Sequence, residues 1–451
     1  MHLNRRRVLT VLASSAAASI ELNVTGTAAP SRQGPPEYGL RPGGAEDQSA
    51  AVQRAINECA RTRTPLVLAA GVYRASNLTL PAGAHVSGTR GATTLTLSRP
   101  GASLITGSGS DTITLSGLIF DGRRNELPER GALVRLDNCQ SVKIADCAFT
   151  ASAGSAFIAI GSAGQLSDCT FTEIADVAVH VLDSRGFLIA RNQIRDAGNA
   201  GIQVWRSRPE DDGTMIIDNR VEHVQNRLGG SGQYGNAINV FRAANVIVRG
   251  NRIRDCAFSA VRGNAASNLH IEGNSISNAR EVAIYAEFGF EGALIASNDI
   301  EGAAIGISVT NFNDGGRLAV VQGNIVRNLL ARRPAGTDPA DGAGIGIAVE
   351  ADTAVSANIV ENAPTAGIVL GSGRYLRDVA ATGNIVRKCA IGVAVSVPAG
   401  AGTALIANNV ISDTDRGAVV GMLRSRAVTG DLTKPGSEQY GQVTISGNRV
   451  Q

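Results

Sequence analysis

The sequence predicts an all-β solenoid, a parallel β-helix of three sheets and roughly 12 coils with a helix capping its N-terminal end. Three observations predict it. A short phrase recurs, consisting of a small residue or Asn, then Asn, any residue, and Ile or Val, centred on Asn192, Asn219, Asn251, Asn274, Asn298, Asn324, Asn358, Asn384, Asn409 and Asn448. Neighbours lie 27, 32, 23, 24, 26, 34, 26, 25 and 39 residues apart, so the base period is 23 to 26 with occasional insertions. Each period carries three short runs of strand-like alternation, as at Phe187–Ala190, Gln193–Arg195 and Gly201–Trp205, with no helical pattern between them. Lastly, 53 Gly and 4% aromatics among 451 residues suit many tight turns around a narrow aliphatic core.

From the N-terminus, Asn4-Arg5-Arg6-Arg7-Val8-Leu9 precedes a mild apolar run from Val11 to Ile20 and small residues around Ala28. A basic start, a short apolar stretch and a small-residue cleavage site read as a signal peptide over 1–29, too short to span a membrane. The paired Arg looks like a twin-arginine export signal, which implies a periplasmic or secreted protein with no stable membrane anchor and the export machinery as a transient partner. A Pro/Gly-rich linker occupies 30–44, and one domain runs from 45 to 451. Its first part, 45–95, is read as the cap: a helix opening at Asp47 places Val52, Ala55, Ile56 and Cys59 on one face. Upstream of Asn192 the slot of the repeated Asn holds Cys147 and Cys169, so the array begins before the first Asn. That regularity favours stacked core thiols over disulfides. The chain stops on a repeat, which leaves the last coil to be shielded by the 421–441 insertion or by another subunit, and makes an oligomer through that end conceivable.

The repeat, the Asn at its bend and the cap pattern of acidic residue, helix, Gly71-Val-Tyr73 and Pro81-Ala-Gly83 together resemble the right-handed parallel β-helix superfamily of pectate lyases, polygalacturonases, chondroitinases and mannuronan epimerases. Hexapeptide spacing of the left-handed helices is absent. The resemblance implies an internal Asn ladder between sheets two and three, with the Phe187 run on sheet two, the Gln193 run on sheet three and the Gly201 run on sheet one. Export signal, cap and repeats also look like a family of twin-arginine-translocated repeat proteins, which implies no particular activity.

Insertions locate the functional face. They fall at 225–235 and 329–342 before the Gly-Ile strand and at 206–214, 311–316 and 371–377 after it, flanking sheet one, where the β-helix carbohydrate enzymes hold substrate. Two outward ladders follow from aligning these strands. The first reads Ile158, His180, Gln203, Asn239, Arg262, Tyr285, Ser308, Ala348; the second reads Ile160, Leu182, Trp205, Phe241, Asn264, Glu287, Thr310, Glu350. At about 4.8 Å per coil the polar and aromatic part makes a groove roughly 25 Å long. Gln203, Trp205, Asn239, Phe241, Asn264 and Glu350 are the candidate substrate contacts, the aromatic pair as sugar-stacking platforms.

Two mechanisms are expected to compete. A uronate lyase or epimerase needs a base, a group stabilising the enolate, and an acid. Tyr285 and His180 would be the acid/base pair, Arg262 the carboxylate clamp and Glu287 its orienting group, although His180 and Tyr285 stand four coils apart, too far for one ring. Hydrolysis needs two carboxylates about 5 to 10 Å apart, for which Glu287 and Glu350, separated by two coils, are conceivable. The Asp clusters of polygalacturonases, the Asp-Pro-His motif of mannuronan epimerases and the Lys/Arg pattern of calcium-dependent pectate lyases are missing. The expected function is therefore an exported protein acting on or binding an acidic polysaccharide, lyase or epimerase in type, with a non-catalytic glycan binder or a structural repeat protein as alternatives. No cofactor is expected, and no motif supports calcium. A net charge of +3 with Arg spread through the coils offers no stripe for nucleic acid.

Overall fold

A computed structural model describes residues 38–451; the signal-peptide reading and most of the linker lie outside the described residues. The chain winds as about 14 turns of parallel strands. Sheet two holds 15 strands, beginning with Leu66–Val67 and ending with Val443–Ser446, and every neighbouring pair is parallel. Sheets three and one merge into a single hydrogen-bonded array because the strands Ile359–Leu370 and Ile385–Ser396 run through the bend between them. The repeat-based estimate of roughly 12 coils falls short because the first turns, which run from the cap through Asp137, contain no Asn phrase.

The phrase itself has a direct physical reading. At the bend from sheet two to sheet three each Asn side chain, buried from Asn192 to Asn409 and part-buried at Asn448, is hydrogen-bonded to its counterpart in the next coil, Asn192 Nδ2 to Asn219 Oδ1 at 3.0 Å and so on to Asn409 and Asn448 at 2.9 Å. The residue before each Asn is left-handed, with φ from 54° at Ala357 to 68° at Gly250. Gly, Asn and Asp tolerate that region best, which is why small and polar residues recur there. Below Asn192 the ladder ends on Cys169, whose backbone N–H donates to Asn192 Oδ1. Cys147 and Cys169 continue the slot as buried free thiols, as are the other four cysteines.

The cap helix α1, Ser49–Thr62, buries Val52, Ala55, Ile56 and Cys59 on the first coil. Gln53 completes the open strand edge there: its amide donates to Thr79 O and accepts from Thr79 N, both at 2.8 Å, as a neighbouring strand would. At the other end the 421–441 insertion shields the core. Arg426–Asp431 pairs antiparallel with Val419–Leu423, Leu432 is buried, and Tyr440 packs on the core beside Val443 and Ile445.

Candidate functional site

Strand register places both sheet-one ladders as the sequence predicts. Ile158, His180, Gln203, Asn239, Arg262, Tyr285, Ser308 and Ala348 pair in that order, and Ile160, Leu182, Trp205, Phe241, Asn264 and Glu287 run beside them. Thr310 and Glu350 extend the second ladder past Glu287.

The middle rungs hold a strap. The 225–235 insertion leaves sheet three after Val224 and crosses the face of sheet one, where three successive rungs donate to three successive carbonyls. Gln203 Nε2 reaches Gln233 O at 3.0 Å, Asn239 Nδ2 reaches Gly232 O at 2.9 Å, and Arg262 Nη1 bonds Ser231 O. Sequence reasoning found these residues but not this role, since a backbone carbonyl leaves no signature in a side-chain pattern.

Beside the strap lies a buried charge cluster. Arg262 makes a bidentate pair with Glu287, Nε to Oε1 at 2.7 Å and Nη2 to Oε2 at 2.9 Å, and reaches Glu281 Oε2 at 3.3 Å. Glu281 in turn accepts from Arg333 of the 329–342 insertion at 2.8 Å and from Ser259 Oγ at 3.1 Å. Asn264 Nδ2 donates to Glu287 Oε1 at 2.9 Å. The side chains of Arg262, Glu281, Glu287 and Arg333 are only 7, 3, 3 and 5% exposed, so the two Arg and two Glu neutralise one another inside the protein. Burial pushes the Glu281 carboxyl up against the pull of Arg262 and Arg333. Burial draws the Arg262 guanidinium down, but Glu287 and Glu281 outweigh it and its pKa is raised. Glu281 and Arg333 were not singled out from sequence: one precedes the aligned strand, and the other lies in an insertion 52 residues away.

Tyr285 stands at the edge of this cluster, with the Arg262 guanidinium 4.9 Å from its ring centre. Burial, followed by the Glu287 charge, holds its phenol above the usual range, so it is a proton donor and hydrogen-bond partner at neutral pH. Glu350 accepts the Phe312 N–H at 2.8 Å, and burial raises its pKa.

Beside the strap, on the strands that carry its first two anchors and the one before them, the face is aromatic. His180 meets Trp205 edge-on with centroids 5.1 Å apart, and Trp205 meets Phe241 at 5.9 Å. Trp205 Nε1 donates to Asn239 Oδ1 at 3.0 Å, which fixes the indole against the strap anchor. Arg242 lies over the Phe241 ring at 4.6 Å. Burial is the main cause that lowers the His180 imidazole from 6.5 to about 4, and its Nε2 has no hydrogen-bond partner among the described residues. His180 and Tyr285 are four rungs apart on one ladder, about 19 Å at ordinary strand spacing.

Among the described residues no cluster of three or more His, Cys, Asp or Glu is placed to hold a metal ion, and no helix is long and apolar enough to cross a membrane.

No curated protein matches the sequence. Similar solved structures include the N-terminal fragment of bacteriophage phi29 gene product 12, with TM-score 0.58 and 13% identity over 92% of this chain and 70% of that one. Another is the A-module of the Azotobacter vinelandii mannuronan C-5 epimerase AlgE6, with TM-score 0.50 and 14% identity over 92% of this chain and 98% of that one. At such identities the likeness is one of fold. The family described as the right handed beta helix region matches residues 103–227 and 209–385, more than half of the sequence. With its coils, Asn ladder and capped first turn, this chain belongs to the right-handed β-helix family.

Proposed function

We propose that this chain is an exported, carbohydrate-active β-helix protein that binds an acidic polysaccharide along the sheet-one groove. The observation that carries this reading is the half-buried aromatic strip of His180, Trp205 and Phe241, in successive edge-on contact and next to a polar stretch crossed by a loop. Sugar rings stack on such faces, and an exposed guanidinium beside them takes up carboxylates. Arg242 supports an acidic ligand: it is exposed, it overlies Phe241, and among the described residues its side chain makes one hydrogen bond, at 3.1 Å to Ser207 O. The fold shared with a mannuronan C-5 epimerase accommodates a ligand of this kind.

Binding is favoured over turnover because the groups expected to do chemistry are engaged elsewhere. Arg262 has its fork closed on Glu287, so it clamps a substrate carboxylate only if that pair opens. His180 and Tyr285 cannot serve one ring. The lyase or epimerase reading keeps one supporting observation, a neutral phenol at Tyr285 beside a cation, which is the placement of a proton donor.

The test is titration of the purified protein with uronate and neutral polysaccharides by calorimetry, with ultraviolet absorbance recorded in parallel for unsaturated chain ends. Binding of uronate polymers that is lost in Trp205→Ala, with no absorbance change, supports the binder. An absorbance rise abolished in Tyr285→Phe would establish a lyase. Absence of binding to every polymer would remove the proposal.

A further inference from the structure

The outward residues of sheet three change character along the stack. At one position the rungs read Gln193, Arg220, Arg252, Ser275 and Asp299, then Ile325, Ile359, Ile385 and Val410, then Arg449, all in register. The four aliphatic side chains are 40, 37, 41 and 39% exposed. They form an unbroken strip about 14 Å long at ordinary strand spacing, with Asp299 at one end and Arg449 at the other. Two residues further along each strand a second row alternates in charge: Glu301, Arg327, Glu361 and Arg387. An exposed apolar strip with a charged rim marks an interaction surface, because isolated aliphatic side chains scatter on ordinary surfaces and do not align.

The order of charges along this face identifies its occupant. We infer that a second copy of this chain docks here, with the two solenoids antiparallel about a two-fold axis that lies in the contact plane and crosses between the Ile359 and Ile385 rungs. That operation reverses the strip onto itself. Asp299 then faces Arg449 of the partner subunit, Ile325 faces Val410 of the partner subunit, and Ile359 faces Ile385 of the partner subunit. The strands of sheet three lie along the two-fold axis, so the charged rows also meet, and Glu361, which pairs with Arg387 and Lys388 of its own chain, faces Arg387 of the partner subunit. A parallel arrangement instead sets Asp299 against Asp299 and Arg449 against Arg449, which is repulsive. Both rows together bury on the order of a few hundred Å² per copy, against about 800 Å² per partner in a standard interface, so the dimer forms weakly and dissociates on dilution. It leaves the sheet-one groove of each copy open, because that sheet lies on another face of the coil.

Sedimentation velocity on the full chain, from low micromolar to near-millimolar concentration, tests the inference. A reversible monomer–dimer equilibrium is expected, with Ile359→Glu weakening it by more than about tenfold, equivalent to one buried aliphatic contact or more. Asp299→Arg and Arg449→Asp should each weaken it several-fold, and the two reversals combined should restore it, because each reversed residue again faces an opposite charge. Of the three positions tested, Ile359 and Arg449 are exposed and Asp299 is half-buried, and unchanged melting of each variant confirms that the coil is intact. A monomer at every concentration, a dimer indifferent to Ile359→Glu, or a combined reversal no better than either single one would each overturn it.

Discussion

Acidification tests the groove through His180. In the unfolded chain this imidazole takes up its proton near pH 6.5, and in the folded protein only near pH 4, since burial disfavours the charged ring more than Asp176 favours it. A base with a depressed folded pKa stabilises the fold fully above the unfolded value. That contribution is lost as pH falls from 6.5 through about 4. At about 1.4 kcal/mol per pH unit, the whole interval amounts to about 3 kcal/mol, of which about 2 are gone at pH 5. His180→Gln cannot protonate, so the stability difference between wild type and variant should shrink or reverse by that amount between pH 7 and pH 5. Urea unfolding midpoints at each pH supply the measurement, and carboxylates that titrate in both proteins cancel in the difference. A difference that stays constant over that range, or an imidazole that titrates near 6.5 by nuclear magnetic resonance, would refute the reasoning.

The internal ladder should show a gradient along the stack. Asn298→Ala removes the acceptor of Asn274 N and Nδ2, each at 3.0 Å, and the donor to Ile271 O, and all three groups are buried; it should cost about 3 to 5 kcal/mol by denaturant unfolding. Asn448→Ala removes a similar set in a part-buried coil where water replaces it, and should cost about 1 kcal/mol; equal costs at the two sites would contradict the account. Arg333→Ala unpins the 329–342 insertion while Glu281 keeps Arg262 and Ser259. It should speed limited proteolysis within 329–342 and cost about 1 to 3 kcal/mol, below the usual figure for a broken buried pair; unchanged cleavage would mean that the insertion is held elsewhere.

The sequence made some of this legible and not the rest, for physical reasons. Strand alternation has a period of two and the coil a nearly fixed length, so aligning the Gly-Ile strands was enough to order His180, Gln203, Asn239, Arg262 and Tyr285 on one ladder. The cap helix was legible from its four apolar positions. The strap was not, because its anchors are the carbonyls of Ser231, Gly232 and Gln233, and any residue supplies a carbonyl. Nor was the pairing of Arg333 with Glu281, which depends on where an insertion folds and not on any period. The same holds for Arg262: its residue type suggested a carboxylate clamp, and whether its partner is a ligand or Glu287 is decided only in three dimensions.

Trp205 is the one tryptophan of the chain and lies in the groove, so its emission reports on groove occupancy without any label. The decisive measurement is therefore intrinsic fluorescence during titration with size-defined acidic oligosaccharides. A saturable change in Trp205 emission that strengthens as the oligosaccharide lengthens to span the groove, and weakens in Arg242→Ala, is the predicted result. Emission that stays unaltered while calorimetry detects binding would place the ligand elsewhere on the coil and contradict the sheet-one groove as the binding site.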